Sequence, residues 1–180
     1  MKFLIFAIVA IFTVKAQQLT SEQVNELLIG YIDGLLGVTL KNEETECLGT
    51  LDTAKYQFNE GFSKIQRTLD FWMPFNKKSQ LFAEGMNEML ETTPKMVMGL
   101  TQNCNIVGED GDIILAWQKR NPNLPALMMK VSKNITKNIL TIAGTMVGAA
   151  TEMFQAHYYD AGHQVGHLVD TLILWKILKN

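Results

Sequence analysis

The sequence predicts an all-α protein, a single-domain bundle of five to seven helices with one disulfide. Two observations carry this prediction. Apolar residues recur at alternating steps of three and four along most of the chain, which is the spacing of one helix face. No segment alternates apolar and polar residues over the length that a half-buried strand needs. Because the connections between periodic segments are short, we expect sequence neighbours to pack antiparallel.

The first sixteen residues have the pattern of a secretory signal peptide. Lys2 precedes an unbroken apolar run over residues 3–14, and a Val-x-Ala cleavage pattern ends at Ala16. The run is shorter than the roughly 20 residues that span a membrane. We expect a cut after Ala16, a mature helical domain over residues 17–180, and a location outside the cell or in the lumen of the secretory pathway. An uncleaved amino-terminal anchor is the alternative.

Two helices are predicted in the first half of the mature domain. Thr20 and Gln23 have the spacing of a capping box at the start of the first helix. The second is predicted from Asn42, as its cap, to Pro74, which cannot continue a helix. Its apolar stripe consists of Cys47, Leu51, Ala54, Phe58, Phe62, Ile65, Leu69 and Trp72.

Prolines and capping residues place the remaining helices. Thr93 and Pro94 are predicted to cap and begin a helix, and Asp112 to cap another. The Asn-Pro-Asn segment over 121–123 ends that helix. The helices are predicted over 77–91, 94–104, 112–117, 125–155 and 158–177.

Three pairs of glycines have G-x-x-x-G spacing on the predicted helices. Each pair exposes bare backbone on one helix face, so that a second helix can approach closely. Because glycine costs about 1 kcal/mol in a helix, we expect a packing reason for each pair, and internal packing is favoured over dimerisation. The pairs are Gly30 with Gly34, Gly144 with Gly148, and Gly162 with Gly166.

Charge and cysteine content restrict the class of protein. Loss of the two lysines of the signal segment lowers the formal net charge from −2 to −4, which argues against nucleic-acid binding. Cys47 and Cys104 allow a single disulfide, which compartment alone favours over two separate thiols. The closed loop of about 58 residues would stabilise the fold by about 4 kcal/mol on a chain-entropy estimate. The longest apolar stretch of the mature part, 139–150, is too short to span a bilayer.

The histidines near the carboxyl terminus are a candidate metal site. On a helix, Asp160, His163, His167 and Asp170 fall within about an 80° arc. Two histidines at i and i+4 can reach one zinc or copper ion, with an aspartate as third ligand. The alternative is a solvated face, because the apolar residues of the same helix lie opposite: Val165, Leu168, Val169 and Leu172.

Two further features are candidate sites for an apolar ligand and a glycan. Methionine fills irregular apolar space and suits adaptable pockets, so a lipid or other apolar ligand is one interpretation and core filling the other. The Asn134-Ile135-Thr136 sequon is a candidate glycosylation site, although it lies inside a helical pattern. The methionines concerned are Met86, Met89, Met98, Met128 and Met129.

Two stretches together resemble a known group of proteins. One covers Ile29–Leu36 upstream of Cys47, and the other runs from Phe154 through the Tyr-Tyr-x-Ala-Gly-x-x-x-Gly segment that ends at Gly166. The chain thereby resembles small secreted proteins of ciliates that have a signal peptide and two cysteines. The resemblance implies an all-helical secreted protein of unknown function and carries over no catalytic residue.

The leading functional hypothesis is a secreted binding or assembly protein without catalytic activity or cofactor. The chain contains no P-loop, no dinucleotide-binding fingerprint and no G-x-S-x-G motif. The partner is not identified by the sequence, and both a protein partner and self-assembly stay open. A carrier of an apolar ligand and a metal-binding protein are the alternatives.

Overall fold

The computed structural model describes residues 19–40, 47, 52–68, 70, 72–104, 106 and 108–173. Within these residues the chain forms seven α-helices, a short 3-10 helix over Thr136–Asn138 and no strand, which confirms the predicted all-α bundle. The signal segment, Asn42, Leu51, Leu69 and the predicted end of the last helix lie outside the described residues. The helices are α1 Ser21–Leu36, α2 Asp52–Arg67, α3 Phe75–Gln102, α4 Glu109–Arg120, α5 Leu124–Ile135, α6 Ile139–Phe154 and α7 Tyr158–Ile173.

The first and last of these helices, α1 and α7, pack backbone against backbone. A Cβ placed on Gly162 would overlap the Leu27 carbonyl oxygen and lie 2.9 Å from the Tyr31 nitrogen. Gly30 and Gly34 of α1 meet the backbone of α7 in the same way, in an order that makes the two helices parallel. The close packing predicted from these two glycine pairs is therefore confirmed.

Other glycines differ from the predicted pattern. Gly144 has open space around it, and Gly148 faces only the flexible side chain of Gln164, so this pair makes no backbone contact with another helix. Gly61 of α2 and Gly85 of α3, which no spacing rule singled out, lie against each other's carbonyl oxygens instead. Tight packing therefore occurs at two interfaces, α1 with α7 and α2 with α3.

Pro94 lies inside the single helix α3, so the predicted break between 91 and 94 is wrong. The hydroxyl groups of Thr92 and Thr93 donate to the Met89 carbonyl oxygen at 2.9 and 2.7 Å, in the turn where proline lacks its own donor. Apolar residues on both sides of Pro94, including Leu90 and Val97, are fully buried. Packing along the whole helix therefore outweighs the proline, which costs roughly 3 kcal/mol in a helix interior.

Three other predicted boundaries are also wrong. Helix α2 ends at Arg67, well before Pro74, because Thr68 and Asp70 begin a series of local turn hydrogen bonds. Trp72 consequently lies in a turn and is exposed. Helix α4 begins at Glu109 after Gly108, whose φ of 80° ends the preceding turn, so Asp112 lies in the first helical turn. The predicted long helix over 125–155 is divided by the 3-10 segment over 136–138.

The pairs α1–α7 and α2–α3 make the most extensive helix contacts, α6 packs on α7, and α5 contacts both α3 and α7. The buried apolar residues of these helices and of α4 form one core. Its largest fully buried side chains include Trp117, Tyr31 and Phe58, and the last two rings are 4.7 Å apart. The disulfide between Cys47 and Cys104, with Cα atoms 5.6 Å apart, confirms the predicted bridge. Among the described helices, none has the length and apolar content required to cross a membrane.

Candidate functional site

A pocket of about 530 Å³ lies between the carboxyl end of α4, α5 with the 3-10 segment, and the end of α7. Four of its lining residues are cationic, and we call it the basic pocket. It is lined by Arg120, Lys130, Lys133, Asn134, Lys137 and Ile173.

Helical spacing and one turn assemble these cations. Lys130, Lys133 and Lys137 follow one another at steps of three and four, so α5 and the 3-10 segment present them on one side. Arg120 is the last residue of α4, and a three-residue connection brings it beside α5. The Lys130 Nζ donates to the Arg120 carbonyl oxygen at 2.9 Å and to Asn121 Oδ1 at 2.6 Å, which fixes the end of α4 to α5.

The electrostatics of the basic pocket are those of a site for an anion. Burial, and then the nearby charge of Arg120, lower the pKa of Lys130. Lys133 and Lys137 are exposed, and neither forms a hydrogen bond or ion pair with another described residue. Positive charge is therefore concentrated in a concavity, where it attracts anions more strongly than on a flat surface.

Asn134 forms part of the pocket wall and is only 6% exposed. Its Nδ2 donates to the Lys130 carbonyl oxygen at 3.0 Å and to the Leu172 carbonyl oxygen at 2.9 Å, joining α5 to α7. This nitrogen is the atom that would carry a glycan. In the folded chain, the Asn134 nitrogen that a glycan would be attached to is therefore buried and donates two hydrogen bonds.

In the part of the chain that the structure describes, the four predicted metal ligands do not supply a group of three with ligand atoms inside 4.8 Å of one another. His163 and His167 are exposed, while the valine–leucine face of α7 is buried, as the solvated-face interpretation predicts. Within the described residues, the group of three potential ligands with atoms inside 4.8 Å consists of Glu152, His157 and Asp160. It includes Asp160 but neither of the two predicted histidines.

Asp170, the fourth predicted ligand, is half-buried on α7, and its Oδ1 has no hydrogen-bond partner among the described residues. Burial raises its pKa from 3.8 to about 6, against the opposing charge of His167. A raised pKa means that this group stabilises the fold below about pH 4 and that the contribution is lost as pH rises through about 6.

We therefore expect Asp170→Asn to stabilise the protein at neutral pH. The amide removes the cost of a buried charge, and the gain is about 1 kcal/mol after allowance for solvent screening of a half-buried group. Thermal melts at about pH 7.5 and about pH 4 measure it, because the gain should be absent at the lower pH. Asp160→Asn, an exposed site on the same helix, is the control. Equal gains at both pH values would contradict this account.

The contact between α1 and α7 contains a second buried carboxyl group, that of Asp33. Asp33 Oδ2 accepts a hydrogen bond from the Tyr159 hydroxyl at 3.0 Å, and Oδ1 accepts one from the Leu40 amide at 3.3 Å. Burial raises the pKa of Asp33, and burial together with Asp33 raises the pKa of Tyr159 to about 12. Because both hydrogen bonds join α1 to its neighbours, one to α7 and one to the segment that follows α1, we interpret this carboxyl group as structural.

The five methionines predicted for an apolar ligand differ in how far they are buried. Met86 and Met89 are buried in the core, Met128 is partly buried, and Met98 and Met129 are exposed. None of them lines the basic pocket. Core filling explains Met86 and Met89, and nothing in their placement favours a carrier.

The sequence analysis did not predict the basic pocket, because the net charge of the chain is negative. The signal was nevertheless present: Lys130, Lys133 and Lys137 have the spacing of one helix face. The spacing does not show that Arg120 lies beside these lysines, because its position depends on the conformation of the connection over 121–123.

Comparison with known proteins gives one finding. The model of the family described as SctB-like, or secreted protein B-like, matches residues 11–174. No curated protein and no solved structure matches the chain. The match includes all seven described helices, both cysteines and the basic pocket, and the family's description is that of a secreted protein. The chain therefore belongs to the SctB-like family.

Proposed function

We propose that the protein is a secreted, non-catalytic binding protein that takes a small anionic ligand into the basic pocket. The observation that carries the proposal is the convergence of Arg120, Lys130, Lys133 and Lys137 on one concavity. Its volume of about 530 Å³ is within the range of pockets that hold small molecules.

The roles of the cations differ. Lys130 uses its Nζ on two oxygen acceptors at the end of α4, so it contributes charge and holds the wall of the pocket. Lys133 and Lys137 present compact ammonium charges to the pocket, and the planar guanidinium of Arg120 suits phosphate, sulfate or carboxylate groups. Lys133 and Lys137 are four residues apart, about 6 Å along a helix. A ligand with two anionic groups at that separation would engage both.

We further propose that the mature protein is a single domain over residues 17–180, located outside the cell or in the secretory lumen. In this proposal it has no enzymatic activity and is similar to the secreted ciliate proteins. The family's description supports secretion. Intact-mass analysis of the secreted protein tests the start of the mature chain, and the expected mass is that of a chain that begins at Gln17.

Neutralising two pocket lysines should abolish most of the binding. We expect Lys133→Gln with Lys137→Gln to weaken the affinity for inorganic pyrophosphate at least about tenfold, because two direct charge contacts are lost. Isothermal titration calorimetry of the folded mature protein measures the change. Affinity should also fall with added salt, since the contacts are charge–charge interactions at a solvent-accessible site.

A matched pair of variants separates a site from general electrostatic attraction. Lys77→Gln with Lys95→Gln removes the same charge from exposed positions on α3, outside the pocket. Unchanged pyrophosphate affinity is expected for this pair. If both pairs lose affinity equally, or if the wild-type protein binds neither pyrophosphate nor sulfate, the proposed site is wrong.

A further inference from the structure

One face of α6 is exposed and carries no charged side chain. Leu140, Val147 and Phe154 are 85%, 52% and 46% exposed and recur at intervals of seven. Gly144 and Thr151 lie between them and are exposed as well. We call these five residues the α6 stripe. At 100° per residue they fall within an arc of about 80°, so they form one continuous surface.

The α6 stripe is unusual for a helix that faces solvent. A surface helix normally carries charged residues opposite its buried side, whereas the one ionisable residue of α6 is Glu152. The buried side is already occupied, since Ile142, Met146 and Ala149 belong to the core. Large apolar residues at a seven-residue spacing are typical of one half of a helix–helix seam.

We propose that the α6 stripe is the interface with a second copy of this chain, in an antiparallel pair of α6 helices related by a two-fold axis at Val147. Leu140 and Phe154 are each seven residues from Val147, so the axis sets Leu140 of one copy opposite Phe154 of the other. Gly144, with open space where a Cβ would stand, lets the two helices approach closely.

The charges at the ends of α6 specify the direction of this pair. Lys137 lies at the amino-terminal end of α6, while Glu152 and Asp160 lie at the carboxyl-terminal end. An antiparallel pair brings opposite charges together at both ends, whereas a parallel pair would bring like charges together.

Charge also favours a second copy over a lipid surface. Helices that lie on membranes have lysine or arginine beside the apolar face. Apart from Lys137 at one end, the exposed neighbours of the α6 stripe, Thr141 and Gln155, are uncharged, and the protein as a whole is acidic.

Sedimentation of the mature protein from about 1 to 200 µM tests the association, and a monomer–dimer equilibrium is expected. Val147→Glu sets two like charges at the axis and should weaken the dimer at least about 100-fold. Val147 is half exposed, so this variant should fold, which its thermal melt checks. Leu115→Glu, at a residue of α4 that is 45% exposed, is the control and should leave the dimer unchanged.

Cysteine cross-linking tests the direction. Val147→Cys should form a covalent dimer on oxidation, whereas Leu140→Cys should do so only when mixed with Phe154→Cys. Cross-linking of Leu140→Cys with itself would overturn the antiparallel arrangement. A protein that stays monomeric at about 200 µM, or equal effects of the two glutamate variants, would overturn the dimer. Flotation of a monomeric wild-type chain with phosphatidylserine vesicles, lost in Val147→Glu, would assign the surface to lipid instead.

Discussion

Gly162→Ala is expected to lower the free energy of unfolding by about 3 kcal/mol, the upper part of the range for overpacked sites. The new Cβ would overlap the Leu27 carbonyl oxygen and lie 2.9 Å from the Tyr31 nitrogen. Backbone atoms cannot rotate away as a side chain can, so α1 and α7 would have to separate along their length. Chemical denaturation of the purified mature protein measures the loss.

Gly144→Ala, measured at a concentration at which the protein is monomeric, is the matched control for this prediction. It makes the same chemical change in a helix, but at a position with nothing within 4 Å of the added atom. Alanine should therefore stabilise α6 by up to about 1 kcal/mol through helix propensity alone. Similar stabilities for the two variants would show that the α1–α7 contact does not require glycine.

Removal of the disulfide is expected to have the largest effect on stability. Cys47→Ala with Cys104→Ala opens a loop between residues 57 apart in sequence, which corresponds to about 4 kcal/mol on the chain-entropy estimate. The bridge links residue 47 to the segment at the end of α3 and thereby restricts the unfolded chain. Its loss therefore acts mainly by enlarging the unfolded ensemble. Urea denaturation of the double variant measures the effect.

Reduction supplies an independent check of the disulfide prediction. The wild-type protein in dithiothreitol should unfold at the same urea concentration as the double variant, because both lack the same constraint. A double variant as stable as the oxidised wild type would contradict the prediction. A large difference between the reduced wild type and the double variant would show that the alanines alter packing around Cys104, which contacts the core.

Local signals in the sequence were sufficient for most of the fold. The capping box of Thr20 and Gln23 is present, with both reciprocal hydrogen bonds, because it depends on residues three apart. The predicted helix break before Pro94 is wrong because it relied on the proline alone. Whether a helix continues through proline depends on burial along the whole helix and on neighbouring hydroxyl groups. The hydroxyl groups of Thr92 and Thr93 can be read from the sequence, but the burial of the whole helix cannot.

The candidate site was less predictable than the fold. The three lysines of α5 and the 3-10 segment could be placed on one side from their spacing. The pocket also needs the end of α4 and Ile173 of α7, which are brought together by tertiary packing. His163 and His167 show that spacing alone does not predict a metal site. They have the i, i+4 spacing of metal ligands, yet both are exposed on α7 and neither belongs to the group of potential ligands.

The contact between α1 and α7 determines when this protein can finish folding. About 120 residues separate the end of α1 from the start of α7, and synthesis delivers α1 first. Until α7 is made, the side of α1 that carries Gly30 and Gly34 lacks the helix that covers it, although α2 and α4 also contact α1. Docking of α7 onto α1 is slowed by the entropy cost of closing such a long loop, because this cost arises before the favourable contacts form. We therefore expect the nascent chain to expose this side of α1 until α7 has been synthesised, and we expect truncation within α7 to prevent the fold from being completed.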